Sequence, residues 1–179
     1  MNRKQLAVYF IMGTQNVIAR EPLVMLEEAL QAGVTMFQFR EKGNGTLTGA
    51  AYEQFACNCQ TLCKKYRVPF IVNDDVDLAI KLQADGVHIG QDDEAVAQVK
   101  KKIGHMMLGV SVHTMIEVAE AVACGAEYVG IGPIFPTKSK ADAQTPAGTA
   151  FLQQVAKAYP HLPIVAIGGI TAGHPYIPL

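Results

Sequence analysis

The stretch Ile71–Asp93, IVNDDVDLAIKLQADGVHIGQDD, reads as strand, short helix, strand. The apolar run Val68–Val72, with Pro69 near its start, ends at Asn73-Asp74-Asp75, and a second run, Gly86–Gly90, ends at Gln91-Asp92-Asp93. Short apolar strands separated by a helical segment form a βαβ unit with parallel pairing. In parallel α/β folds ligands gather at the carboxyl ends of strands, so Asp74 and Asp93 are expected at one mouth on neighbouring strands. Two hard carboxylate ligands there can hold Mg²⁺, which keeps waters and completes its shell with substrate phosphates. The aspartates could instead cap the helices that follow. Their recurrence at two successive strand ends favours a site.

The same alternation extends in both directions. Upstream, Leu6–Met12 and Thr35–Arg40 read as strands. Between them a helix opens near Pro22, carries Leu23, Leu26, Ala29 and Leu30 on one face and stops at Gly33. After the break Gly43-Asn44-Gly45, Thr48 is placed to cap a longer helix with Tyr52, Phe55, Ala56, Cys59, Leu62, Cys63 and Tyr66 at helical spacing. Downstream, Val96, Val99 and Ile103 mark a helix, and Met107–Ser111 a strand. Thr114-Met115-Ile116-Glu117 has the form of a capping box. Tyr128–Gly132 is a sixth strand, followed by a long loop from Pro133 to Pro146, a helix over about Ala147–Tyr159 and a seventh strand, Pro163–Gly168. Long loops are often functional. Strict alternation allows a closed barrel or an open doubly wound sheet. No G-x-G-x-x-G or Walker pattern follows the first strand, and polar residues cluster after nearly every strand, which suits a barrel mouth.

Composition narrows the function class. The chain has 179 residues, which suggests one domain, and half of them are hydrophobic. A net charge of −1 provides no broad basic field for nucleic acid, and no apolar run approaches the roughly 20 residues of a membrane span. The N-terminal MNRKQLAVYFIMG has the charge and short apolar run of a signal peptide but no small-residue cleavage site, and reads as the first strand. Cys57, Cys59, Cys63 and Cys124 complete no zinc pattern. They fit reduced thiols in a cytoplasmic enzyme.

The strand ends supply the candidate site. On the second strand, alternation puts Gln38 and Arg40 on one face with Lys42 in phase. A guanidinium fork beside an ammonium suits a phosphate or diphosphate; a solvated charge pair with Glu41 is the alternative. Asn73, Asp74, His88, Gly90, Asp93 and Ser111 follow on the next three strands. The loop after the sixth strand holds Thr137, Ser139 and Lys140. Gly168-Gly169-Ile170-Thr171 offers bare amides to an anion. His88 could equally be a packed core residue, and His113 reads as a helix-start or loop residue. These residues imply a Mg²⁺-assisted enzyme acting on a diphosphate, with room for a second anionic substrate.

YFIMG, FQFREK, VNDD, GVHIGQDD, LGVSVHT, YVGIGPIFPTKSK and VAIGGIT, in that order, resemble the thiamine-phosphate synthase family from about Tyr9 to Thr171. The resemblance implies a (β/α)8 TIM barrel. It also implies condensation of a hydroxymethylpyrimidine diphosphate with a thiazole phosphate, giving thiamine phosphate and pyrophosphate. By that likeness Asp74 and Asp93 would ligate Mg²⁺, and Arg40, Lys42, Ser111 and Lys140 would hold the diphosphate. Gln38, Asn73, His88 and Gly90 would line the aminopyrimidine pocket, and Thr137, Ser139 and Gly169 would bind the thiazole phosphate. Ser139 stands where many relatives have Thr, which keeps the hydroxyl. The implied chemistry is dissociative: the diphosphate leaves and the thiazole nitrogen traps a pyrimidine-methyl cation. That demands charge stabilisation and positioning rather than an activated nucleophile. The implied partners are two small-molecule substrates, with no nucleic acid or membrane, and homo-oligomerisation is left open.

After Thr171 the family pattern fails, and Ala172–Leu179 holds two prolines that oppose helix and strand. The expectation is a C-terminally truncated barrel of about seven strands lacking its last βα unit, with exposed edges, weakened thiazole-phosphate binding and a tendency to self-associate. Two alternatives stand beside the synthase. One is a thiazole tautomerase of the same fold, disfavoured because an isomerase expels no diphosphate. The other is a non-catalytic remnant that only binds ligand.

Overall fold

A computed structural model describes residues 3–91, 93–137, 146–171 and 173. Ser139, Lys140 and the segment 174–179 lie outside the described residues, as does most of the loop between Pro133 and Pro146. Among the described residues seven strands alternate with six α-helices. The strands are β1 Tyr9–Met12, β2 Met36–Phe39, β3 Phe70–Asn73, β4 Gly86–Ile89, β5 Met107–Val112, β6 Tyr128–Ile131 and β7 Ile164–Ala166. The helices are α1 Pro22–Gln31, α2 Gly49–Tyr66, α3 Val76–Leu82, α4 Val96–Ile103, α5 Met115–Ala123 and α6 Gly148–Ala158. Sheet order follows chain order, and the neighbouring registers β1/β2, β2/β3, β3/β4, β5/β6 and β6/β7 are all parallel. This is the strand–helix succession of a (β/α)8-barrel fold with seven strands.

The first strand is shorter than the sequence suggests. Arg3–Leu6 forms a 3₁₀ turn, and the strand starts only at Tyr9, opposite Met36. Ala7 and Val8 are exposed, so the apolar run does not carry the ladder back to Leu6. Most helix signals hold, but Thr48 stands at the N-cap of α2 without a side-chain cap hydrogen bond. Pro22 opens α1, and Gly33 follows its C-cap with φ +102°. The capping box of α5 forms in full: Thr114 Oγ accepts from Glu117 N, and the Glu117 carboxylate accepts in return.

The chain divides into two compact units, Met1–His88 with Lys101–Met107, and Ile89–Lys100 with Leu108–Leu179. The first has an aromatic core. Phe39 is fully buried, with its ring 5.5 Å from Tyr52, 5.6 Å from Phe55 and 6.1 Å from Phe70. Truncating such a phenylalanine to alanine costs roughly 3–5 kcal/mol. In the second, Val110, Val112, Tyr128, Val129 and Ile131 of its strands and Leu152 and Val155 of α6 are buried.

One device recurs at the starts of the strands. Thr35 Oγ accepts from Val8 N (2.8 Å), Asp85 Oδ2 from Phe70 N (2.8 Å) and Glu127 Oε2 from Leu108 N (2.6 Å). In each case a side chain just before an even-numbered strand satisfies a main-chain N–H at the start of the preceding odd-numbered one. A buried N–H without a partner costs about 1–3 kcal/mol. The amino ends of these strands are therefore closed by polar side chains committed to structure.

Candidate active site

At the carboxyl end of β3 the Asn73-Asp74-Asp75 cluster divides its work. Asp75 is the N-cap of α3: its Oδ1 accepts from Leu78 N at 2.9 Å, and its Oδ2 accepts from Tyr52 Oη at 3.2 Å. Asp74 makes no cap. It takes a left-handed backbone, φ +62°, which few residue types other than Gly, Asn and Asp tolerate. Its Oδ2 accepts from Lys42 Nζ at 2.7 Å. Of the two, Asp75 caps α3, while Asp74 meets the ammonium of Lys42, in phase at the end of β2. Burial and the nearby charge of Asp75, with Glu41 and Asp74 contributing, push the Tyr52 phenol well above its ordinary range. That hydroxyl stays protonated and serves as a donor.

The alternative pairing of Glu41 with Arg40 and Lys42 as a solvated charge cluster is not what forms. Glu41 turns away from both cations. Its Oε2 accepts from Thr14 N at 2.7 Å, and its Oε1 accepts from Leu47 N at 2.8 Å and from the Thr14 hydroxyl. Alternation along the strand carried this signal, since a residue between two site-facing neighbours points to the opposite side. Gln38 is buried at 2% exposure, and its Nε2 donates to Tyr9 Oη at 2.9 Å. His88, also buried, is the register partner of Asn73, and its carbonyl accepts from Asp74 N at 2.9 Å. Gln38, Asn73, Asp74 and His88 therefore lie at the carboxyl ends of three successive parallel strands.

The second unit holds the remaining candidates. Asp93 lies ahead of α4 and does not stand at its cap position; its Oδ2 accepts from Gly90 N at 2.6 Å and closes the turn after β4. Gly90 is tight against that carboxylate: a Cβ there would lie 3.1 Å from Asp93 Oδ2. Ser111 lies on β5, and its carbonyl accepts from Gln91 Nε2 at 2.6 Å, a contact the sequence did not suggest. His113 behaves as a helix-start residue, its N–H donating to Glu117 Oε2 at 2.6 Å. After β7, Gly168 and Gly169 both have left-handed backbones, with φ +87° and +70°. A Cβ on Gly169 would lie 2.5 Å from the Phe135 carbonyl oxygen, and one on Gly168 would lie 3.7 Å from Thr137 Cγ2. The turn after β7 and the loop after β6 thus share a surface only glycine allows.

The donor set can be tested against Mg²⁺ within each unit. Asp74 already carries a cation on one oxygen, and Asp93 is a carboxylate held by a main-chain donor. Both are the hard oxygen type that Mg²⁺ takes, with substrate phosphates and water completing the shell. Among the described residues no group of three or more His, Cys, Asp or Glu side chains forms an all-protein cage. The residues fit a cation held by one or two carboxylates.

Comparison with known proteins decides the family. A family model described as thiamine monophosphate synthase matches residues 8–175. The chain belongs to the thiamine monophosphate synthase family. Among its relatives, a thiamine-phosphate synthase from Lysinibacillus sphaericus is 65% identical over 170 residues, which is 95% of this chain and 80% of the relative. The Geobacillus kaustophilus thiamine-phosphate synthase is 55% identical over 172 residues, 96% of this chain and 77% of the relative. A solved thiamine phosphate pyrophosphorylase from Pyrococcus furiosus superposes with a TM-score of 0.82 at 31% identity, covering 94% of this chain and 78% of that one. The match places the fold in the (β/α)8-barrel class shared by the family. No helix among the described residues is long and apolar enough to cross a membrane.

Proposed function

We propose that this chain makes thiamine phosphate by joining a hydroxymethylpyrimidine diphosphate to a thiazole phosphate, a transferase reaction that releases pyrophosphate. The observation that carries the site assignment is the Lys42 ammonium on the Asp74 carboxylate, 2.7 Å apart at the ends of adjacent parallel strands. Arg40, Lys42, Ser111 and Lys140 hold the diphosphate, Lys140 being assigned from sequence alone. Gln38, Asn73, His88 and Gly90 orient the aminopyrimidine. Thr137, Ser139 and the left-handed Gly169 receive the thiazole phosphate. Asp74 and Asp93 would each offer a carboxylate to Mg²⁺, which would supply positive charge against the diphosphate.

The step breaks the bond between the pyrimidine methylene carbon and the diphosphate oxygen, whose electron pair leaves with pyrophosphate. The thiazole nitrogen supplies the electron pair of the new carbon–nitrogen bond. The protein's part is to stabilise the leaving anion with Arg40 and Lys42 and to align the two substrates. A cytoplasmic location belongs to this reading and accords with four free cysteines.

The test is to mix the purified chain with both substrates and Mg²⁺ and measure thiamine phosphate, beside an Asp93→Ala control and a chelated sample. Product that requires Asp93 and Mg²⁺ is expected. No product, or product indifferent to both, overturns the reading.

A further inference from the structure

The segment Arg40-Glu41-Lys42 is held from behind by the 3₁₀ turn Thr14–Asn16 that follows β1. Gln15 Nε2 donates to the Arg40 carbonyl at 3.0 Å and to the Lys42 carbonyl at 3.2 Å, gripping the main chain on both sides of Glu41. Glu41 grips back through Thr14 N–H, the Thr14 hydroxyl and Leu47 N–H. Gly13 lets the two segments meet: a Cβ there would lie 2.2 Å from the Arg40 carbonyl oxygen and 2.4 Å from Gln15 Oε1. Gln15 Oε1 is buried with no hydrogen-bond partner among the described residues. An unsatisfied buried acceptor calls for an explanation. Here the amide is turned so that both of its described bonds go to the carbonyls of Arg40 and Lys42.

We propose that Glu41 and Gln15 are positioning residues that fix the main chain carrying Arg40 and Lys42, and thereby set the affinity for the pyrimidine diphosphate. The inference rests on the diphosphate role assigned above to those two cations. It makes a prediction opposite in sign to simple electrostatics. Glu41→Gln removes a negative charge between two anion-binding cations, so charge alone would tighten diphosphate binding. As a positioning residue, Glu41 cannot be replaced by glutamine. The amide offers one acceptor oxygen where the carboxylate offers two, so either Thr14 N–H or Leu47 N–H loses its partner. Binding should then weaken. Gln15→Met, which leaves net charge unchanged and removes both donors, should act in the same direction.

The experiment is calorimetric titration of the purified chain with the pyrimidine diphosphate and Mg²⁺, with thermal unfolding and the KM for thiazole phosphate measured alongside. Both variants are expected to raise the pyrimidine diphosphate Kd about tenfold or more and to leave the thiazole-phosphate KM near the wild-type value. If Glu41→Gln fails to fold, Gln15→Met alone decides. A folded variant of either kind that binds the diphosphate as tightly as wild type, or more tightly, overturns the inference. So does an equal rise in both substrates' constants, the signature of general loosening. A wild-type chain that neither binds the diphosphate nor forms product overturns the functional reading and this inference together. A working wild type with unweakened variants overturns this inference alone.

Discussion

Adjacent aspartates at the end of β3 should separate stability from catalysis when each is changed alone. Asp75→Ala removes the α3 N-cap and the acceptor of the half-buried Tyr52 hydroxyl. The cap is worth about 1 kcal/mol and the hydrogen bond about another 1 kcal/mol, a loss of about 2 kcal/mol. For a chain of this size each kcal/mol moves the melting midpoint by about 2–4 °C, so the midpoint should fall by about 4–8 °C. Turnover measured well below that midpoint should change by less than about threefold. Asp74→Asn keeps a side chain that tolerates φ +62°. It weakens the ion pair with Lys42, in which the Lys42 side chain is 50% exposed and Asp74 24%; pairs this open contribute at most about 1 kcal/mol. Its midpoint should move little while turnover falls about a hundredfold. The assays are thermal unfolding by circular dichroism and thiamine phosphate formation at saturating Mg²⁺. Wild-type turnover in Asp74→Asn, or a hundredfold loss in a folded Asp75→Ala, would refute the division of roles.

Gly169→Ala forces a side chain into a backbone at φ +70° and against the Phe135 carbonyl; it should raise the KM for thiazole phosphate while sparing that for the pyrimidine diphosphate, and a uniform change in both would count against the assigned role. Asp85→Ala strips the acceptor from Phe70 N–H and should lower unfolding free energy by about 1–3 kcal/mol with unchanged KM values, checked by urea unfolding and steady-state kinetics. Burial pushes the Cys63 thiol up to about 12 and the Cys59 thiol higher, from an ordinary value of 9.0. Above pH 9 the unfolded chain therefore releases protons that the folded chain retains, and stability is present below that pH and lost as pH rises towards 12. The fall should reach about 1.4 kcal/mol per pH unit for each thiol; urea midpoints between pH 8 and 10.5 that stay flat would contradict it.

Element type and order were legible in the sequence because each strand is a short apolar run bounded by glycine or acid, and each helix carries its own start or stop signal. Thr114-Met115-Ile116-Glu117 is the clearest case, a four-residue pattern that forms both of its expected hydrogen bonds. Strand bounds were less legible, since Leu6 belongs to the apolar run by composition but to a 3₁₀ turn in the fold. Asp74 could not be told from Asp75 by residue type. The distinction lies in backbone conformation and in which neighbour each side chain reaches, both set by tertiary structure. Glu41 was read only as an alternative partner for two cations because its true partners, Thr14 and Leu47, are brought to it by strand pairing and a loop return. Neither Gln91, inside GVHIGQDD, nor Gln15, outside every motif, signals its contact by residue type; both make hydrogen bonds to main-chain carbonyls, which any amide of the right reach could make.

The two ends of the strands are built on different principles, and the contrast explains why the charged motifs cluster as they do. At the amino ends, Thr35, Asp85 and Glu127 direct side-chain oxygens to strand N–H groups. A substitution there is felt as lost stability. At the carboxyl ends, polar residues come in short runs, and at the ends of β2 and β3 one member supports the others. Glu41 is tied to Thr14 and Leu47 beside Arg40 and Lys42, and Asp75 is tied to α3 and Tyr52 beside Asp74. At the end of β2 alternation makes this arrangement available, because consecutive residues of an extended chain face opposite ways; at the end of β3 the left-handed backbone of Asp74, φ +62°, parts it from Asp75. A strand end that must present charge to a ligand can therefore be anchored by the residue next to it. It follows that the anchors should be as sensitive to substitution as the residues they support, but through affinity and stability rather than through the chemical step. Measuring Kd, melting midpoint and kcat together for Glu41→Gln and Asp75→Ala, against Asp74→Asn, would separate the anchors from a residue proposed to hold Mg²⁺.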